Sequence, residues 1–166
     1  MANFEDYANK YRTIRMERHN GILQATFHTA GDSLKWGNDC REEVFQAFAD
    51  IGSDIENKVV ILTGTGDNYC TEFDGVKSMR RTPRDWDASF REGRKLVMNL
   101  LDIEVPMISA VNGPVYIHAM IPALCDIVLA VETAAFSDEH HFADGVVPGD
   151  GVHVVWPMLL GTNRAR

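Results

Sequence analysis

Three short apolar runs, Val59-Val60-Ile61-Leu62, Met107–Val111 and Ile127–Ala130, constrain this chain more than any other feature. Each is too short for a helix and lacks alternation, the pattern of a strand buried on both faces. The segments between them change period. Between Pro83 and Leu101, the apolar residues Trp86, Phe90, Val97 and Leu101 recur near helical spacing, with Pro83 suited to a first turn and Val105-Pro106 beyond the end. A short apolar helix ending near Cys125 follows the Asn112-Gly113-Pro114 turn. Upstream, Asp39 is placed to cap a helix carrying Val44, Phe48 and Ile51, which Gly52 ends. Asn20-Gly21, between the alternating segments 14–17 and 22–28, predicts a tight hairpin. Strands alternating with helices imply parallel pairing through right-handed crossovers, so the expected fold class is α/β, with ligands held by loops beyond the strand C-terminal ends.

Twenty-four Asp plus Glu against sixteen Lys plus Arg give a net charge of −8, which argues against a general nucleic-acid or anionic-membrane binder. With 166 residues, 45% of them hydrophobic, the chain reads as one domain over 1–166 with its own core. Cys40, Cys70 and Cys125 are odd in number and form no Cys-x-x-Cys pair, which suits a reducing, cytoplasmic compartment. The first dozen residues offer no apolar signal-peptide core. The uncharged stretch 105–125 is interrupted by Pro106, Asn112, Pro114, His118 and Pro122, so it reads as core rather than membrane.

The chemistry-bearing residues cluster in the loops after the strands: Cys70 to Asp74, Val115 to His118, and Glu139 to Gly151. Backbone N–H groups from the first two loops are expected to pair as an oxyanion-stabilising site. His118 lies in an apolar stretch, where a buried core histidine is the commoner outcome. His141 opens the segment His141-Phe142-Ala143-Asp144-Gly145 and suits a general base if a carboxylate fixes its tautomer; an ordinary surface histidine is the alternative. Asp150 sits between two glycines, either presented inward or capping a helix over Val152–Leu160. His140, His141, His153, Asp138 and Asp144 are an alternative metal-ligand set, but no His-x-x-x-His spacing supports it, and the expectation is no metal and no cofactor. Thr63-Gly64-Thr65-Gly66 lacks the residues of a phosphate loop and reads as a turn. Trp36 is either core or the wall of an apolar substrate pocket. Lys77, Arg80, Arg81 and Arg84 form a basic cluster, either solvated or suited to a phosphorylated ligand.

Taken together, Val59-Val60-Ile61-Leu62-Thr63-Gly64, Ala110-Val111-Asn112-Gly113-Pro114, Cys125-Asp126-Ile127-Val128-Leu129-Ala130, Gly145-Val146-Val147-Pro148-Gly149-Asp150-Gly151 and Gly161-Thr162-Asn163-Arg164-Ala165 resemble the crotonase (enoyl-CoA hydratase/isomerase) superfamily. The resemblance runs from about Tyr11 to Arg166 and implies the crotonase-like ββα-superhelix core. Hydratases of that superfamily use two glutamates; by position Met120 and His141 stand in their place, and Pro114-Val115-Tyr116-Ile117-His118 replaces the usual glycine-rich loop.

Val152-His153-Val154-Val155-Trp156-Pro157, Glu104-Val105-Pro106, Asp85-Trp86-Asp87 and Glu56-Asn57-Lys58 are similar to a subgroup, the β-diketone hydrolases such as 6-oxocamphor hydrolase. That likeness implies retro-Claisen cleavage of a C–C bond in a small cyclic diketone, without coenzyme A, by His118, His141 and Asp150. Trp36, Phe73 and Ile117 are expected to contact the substrate, and the chain to form a homo-oligomer, trimer-based if the full family architecture is present, with neither nucleic acid nor membrane as partner. The family pattern continues past the position of Arg166 into C-terminal helices, one of which carries a glutamate partnering the histidine base. Either this chain is a fragment of that pattern, or another carboxylate such as Asp150 or Asp144 orients His141; a truncated core is also expected to expose apolar surface and to self-associate. Arg41 stands where the subgroup has another histidine. Two other readings stand beside this one: an acyl-CoA hydratase or isomerase, and an inactive crotonase-like core serving only in binding or assembly.

Overall fold

Asn20 and Gly21 both take positive φ, 52° and 82°, in the computed structural model, closing the hairpin between β1 (Ile14–His19) and β2 (Ile22–Phe27). The structure describes residues 2–75, 82–143, 145–149 and 151–165. A short helix α1 (Phe4–Tyr7) precedes the hairpin, and its Tyr7 hydroxyl donates to Asp54, which also accepts from Arg18 at 2.8 Å. After the hairpin come β3 (Leu34–Trp36), α2 (Asn38–Ser53), β4 (Val59–Gly64) and β5 (Cys70–Phe73). Then follow α3 (Pro83–Leu101), β6 (Met107–Val111), α4 (Met120–Ala123), β7 (Ile127–Ala130), α5 (Glu139–Ala143), α6 (Val152–Leu160) and α7 (Thr162–Ala165).

The main sheet has the order β1-β2-β4-β6-β7, antiparallel at the hairpin and parallel elsewhere, so the α/β expectation holds. Val60 and Leu62 of β4 are fully buried, while Val59 and Ile61 are only partly covered. The prediction of burial on both faces therefore gives way to a sheet with one dry face. All four residues of β7 are exposed, against the expectation of a buried strand: β7 is the outer strand and, among the described residues, pairs only with β6. On the dry face α2 contributes Val44, Ala47, Phe48 and Ile51, with the Phe48 ring edge-on to Phe27 of β2.

The ends of two helices differ from expectation. Gly37, not Asp39, is the N-cap of α2; the Asp39 carboxylate is engaged by Arg12 at 2.7 Å. Gly52 lies inside α2 rather than ending it, and a Cβ there would come within 3.4 Å of Ile103. In α3, Thr82 and Asp85 form a reciprocal capping box that brackets Pro83. Leu96 and Leu100 bury the second half of α3, whereas Trp86 and Phe90 in its first half are exposed. Among the described residues no helix is long and apolar enough to cross a membrane.

Asn112 and Gly113 bring the ends of β4 and β6 together. Asn112 Oδ1 accepts from the Gly64 N–H at 3.1 Å, and its Nδ2 donates to the Gly66 carbonyl at 2.8 Å. Gly113 lies so close to the Asp67 carbonyl that a Cβ would overlap it. The loops that follow both strands are thus pinned side by side at one edge of the sheet.

Candidate active site

A second sheet, absent from the sequence reading, builds one wall of the site. Strands β3 and β5 pair in parallel, and Trp36 stands opposite Phe73 in register. The pairing continues as the Asp74 N–H donates to the Trp36 carbonyl at 3.0 Å. Two residues proposed from the sequence as substrate contacts are thereby neighbours. Trp36 is only 2% exposed and belongs to the core as well as to this wall. Ile117 is buried in the same core, and the N–H groups of Tyr116 and Ile117 both donate to the Cys70 carbonyl, at 2.8 and 3.2 Å. These two donors fix the loop against β5, so the oxyanion pair expected from the loops does not draw on them.

His118 follows with φ 51°, in the left-handed region that favours glycine. The resemblance placed the family's glycine-rich loop here, and the backbone keeps a glycine-like conformation while carrying an imidazole. A non-glycine residue in this region costs roughly 1–2 kcal/mol, and such strain concentrates at functional sites. The ring lies 3.9 Å from Trp36, centroid to centroid. His118 is therefore partly exposed against the site wall rather than a fully buried core histidine.

Beyond His118 stand two more imidazoles. The His140 ring is 6.3 Å from His118 and 4.0 Å from His141, and the Phe73 ring meets it edge-on at 5.5 Å. Both histidines lie at the start of α5, held by Asp138 just before it. His141 Nδ1 donates to Asp138 Oδ1 at 2.7 Å, which leaves Nε2 as the proton acceptor of a neutral ring. His140 Nδ1 stands 3.3 Å from the same oxygen and 3.3 Å from the Tyr116 carbonyl. The Asp138 side chain is only 8% exposed.

The orienting carboxylate found here is Asp138, a residue that the sequence reading considered only as a metal ligand. Asp144 and Asp150, the carboxylates expected in that role, lie outside the described residues. The signal was local: Asp138 and His141 are three apart at a helix start, where such residues meet on one side. His140 was likewise missed as a member of the site. His153, of the alternative metal set, is exposed on α6. Of the basic cluster, Lys77, Arg80 and Arg81 lie outside the described residues, and Arg84 is exposed on α3. Arg41 donates to Ser89 at 3.1 Å, linking α2 to α3.

Met120, at the position of one hydratase glutamate, is completely buried. A thioether carries no proton to give and accepts hydrogen bonds only weakly, so this side chain serves no acid–base step.

Known proteins bear on this geometry. Residues 17–166 match the family model described as enoyl-CoA hydratase/isomerase. The chain is 46% identical to a β-diketone hydrolase from the cyanobacterium Anabaena sp. PCC 7120, whose solved structure is bound to (S)-3-oxocyclohexyl acetic acid. The two superpose with a TM-score of 0.93 over 97% of this chain and 65% of that one. An enoyl-CoA hydratase/isomerase from Mycobacterium paratuberculosis, 23% identical with a TM-score of 0.83 over 93% of this chain and 63% of that one, shares the fold. Among curated relatives, Chromodomain Y-like protein of Mus musculus is 30% identical over 96% of this chain and 28% of that protein. Probable enoyl-CoA hydratase 1, peroxisomal, of Arabidopsis thaliana is 30% identical over 75% of this chain and 46% of that protein. The chain thus spans between about a quarter and two thirds of the length of these relatives. Its sheet, its loops and its matched residues make it a member of the enoyl-CoA hydratase/isomerase, or crotonase, family.

Proposed function

We propose that the protein hydrolyses a C–C bond of a small cyclic β-diketone by retro-Claisen chemistry. The observation that carries this reading is the 2.7 Å Asp138–His141 hydrogen bond, which gives the imidazole one defined basic nitrogen beside the ring pair of Trp36 and His118. His141 Nε2 takes a proton from water as the water oxygen bonds to one ketone carbon. His118 donates a hydrogen bond to the resulting oxyanion. Collapse of the tetrahedral adduct restores a carbonyl, breaks the bond to the carbon between the two ketones, and leaves a carboxylic acid and an enolate. The second carbonyl delocalises the electron pair of the broken bond. Asp150 gives a proton to the enolate carbon and regains one from His141, so one water is added overall and the product is a keto acid. Phe73, partly exposed and backed by the buried Trp36 across β3 and β5, offers apolar surface for the carbocycle.

The acyl-CoA reading is weakened by Met120, buried where a hydratase needs a carboxylate. No resident cofactor enters the reading. It also carries one domain over 1–166, a cytoplasmic site of action and assembly through homo-oligomers, consistent with the exposed apolar residues Ile127, Val128 and Leu129 of β7.

The test mixes the purified chain with a bicyclic β-diketone and, separately, with crotonyl-CoA, alongside a His141→Ala variant. Diketone loss that disappears in the variant is the expected result. Turnover of crotonyl-CoA alone would replace the proposal with the acyl-CoA reading.

A further inference from the structure

Asp138 gathers two imidazoles where the orientation of one base needs a single partner. We propose that Asp138, His140 and His141 form a binding site for a divalent transition-metal cation of the zinc class. Each residue offers one ligand atom, and the three atoms lie within 4.8 Å of one another. Two imidazoles and a carboxylate are a donor set that suits zinc. Tetrahedral zinc, with bonds of about 2.0–2.2 Å, sets its ligand atoms roughly 3.3–3.5 Å apart. Asp138 Oδ1 and His140 Nδ1 already stand 3.3 Å apart, whereas the 2.7 Å contact to His141 must open slightly.

A second observation points to the same ligand. Asp138 Oδ2 is buried and makes no hydrogen bond among the described residues. A carboxylate buried to this degree with one oxygen lacking a donor is costly, and a cation beside it supplies the missing opposite charge. His140 has no part in the proposed hydrolysis; the edge of Phe73 packs against it and its Nδ1–H faces the Tyr116 carbonyl, a proton that a bound ion would displace. The metal reading failed at the level of sequence because His140 and His141 are adjacent, a spacing outside the familiar helical motifs. The preceding turn is what folds Asp138 under both rings.

An ion held here occupies the imidazole that hydrolysis requires, so its binding inhibits turnover. That consequence rests on the hydrolase reading; the binding itself does not.

The experiment titrates the purified chain with zinc chloride by calorimetry, then repeats the titration with His140→Ala, His140→Gln, Asp138→Asn and His153→Ala, each checked for fold by circular dichroism. Cobalt(II) replaces zinc for a visible spectrum. Saturable binding of one ion per chain is expected, weakened at least tenfold by the Asp138 and His140 variants and unchanged by His153→Ala. The cobalt spectrum is expected to show ligand-field bands without thiolate charge transfer. Absence of saturable binding, thiolate charge transfer, or affinity unmoved in the folded His140 variants would overturn the site. In parallel, diketone hydrolysis is followed with and without zinc. A chain that binds zinc as described but never cleaves the diketone keeps the metal site and loses the hydrolase reading. One that cleaves the diketone and shows no zinc binding loses the metal site alone.

Discussion

Asp138 Oδ1 lies 2.7 Å from His141 Nδ1, within one turn of chain and ahead of a five-residue helix. This arrangement makes the orientation of the proposed base, His141, a local property of the Asp138-to-His141 turn. Replacing Asp138 by Asn swaps an acceptor for an amide that can present a donor to His141, disfavouring the useful tautomer. The expected outcome is a fall in kcat of roughly 10²–10⁴-fold with KM little changed. Steady-state kinetics on the bicyclic diketone, with melting curves to verify the fold, make the check; an equal loss through KM alone would assign Asp138 to substrate binding instead.

His118 holds a backbone conformation that glycine adopts freely. His118→Gly is expected to be about 1 kcal/mol more stable than His118→Ala, because both lose the imidazole and only alanine keeps the strain. Both variants should lose diketone turnover. Urea midpoints of the two proteins test the first statement, and equal midpoints would contradict it.

Two glycines should respond to alanine with opposite signs. At Gly113 a Cβ meets the Asp67 carbonyl, so Gly113→Ala should cost about 3 kcal/mol and separate the loops that β4 and β6 carry. Gly93, inside α3, has open space around its missing Cβ, and Gly93→Ala should stabilise by about 1 kcal/mol. Denaturant unfolding of both variants against the parent gives the comparison.

Burial pushes the Glu43 carboxyl up, but hydrogen bonds from the Thr13 hydroxyl and N–H and from Arg12 outweigh it and leave the group below its ordinary value. A carboxylate depressed in the folded state contributes stability above its unfolded pKa, and that contribution fades as pH falls through the folded one. Glu43→Gln is therefore expected to lower stability by about 2 kcal/mol at neutral pH and to flatten the loss on acidification below the ordinary glutamate range. Unfolding free energies measured from neutral to acid pH would show the two curves converging; parallel curves would refute the assignment.

Burial raises the Cys70 and Cys125 thiols to about 12 and holds Cys40 well above its ordinary value. Thiols so placed are neither ionised nor reachable near neutral pH. All three are expected to resist a thiol-specific chromogenic reagent in the native protein and to react together in guanidinium. Rapid modification of any one of them without denaturant would show that its surroundings open.

The main sheet was legible because its strands are apolar runs that differ sharply from the helices around them, and the Asn20-Gly21 turn left little choice of hairpin. The second sheet was not. Its strands are three and four residues long, carry Lys35 and Glu72, and pair across intervening helix and strand, so nothing in either segment alone announces a strand. The exposure of β7 was hidden for a related reason, since Ile127, Val128 and Leu129 specify a strand but not what covers it. At the candidate site, His118 and His141 were legible as residue types in loops that the structure brings near one another. Asp138 was not, because the family pattern places the partnering carboxylate in a more distant segment, with Asp144 and Asp150 the other carboxylates near His141 in sequence. The helix start that brings Asp138 under His141 is a three-residue relationship, visible only once α5 is known to begin there.

The pairing of Trp36 with Phe73 also sets a schedule. The wall they form joins segments 37 positions apart, and His140 and His141 arrive almost seventy residues later. Closing such long loops is slow compared with forming the Asn20-Gly21 hairpin. During synthesis both strands of the hairpin are available early, whereas the imidazole cluster waits until α5 has emerged. An interrupted chain therefore carries the beginnings of the sheet long before it carries Asp138, His140 and His141.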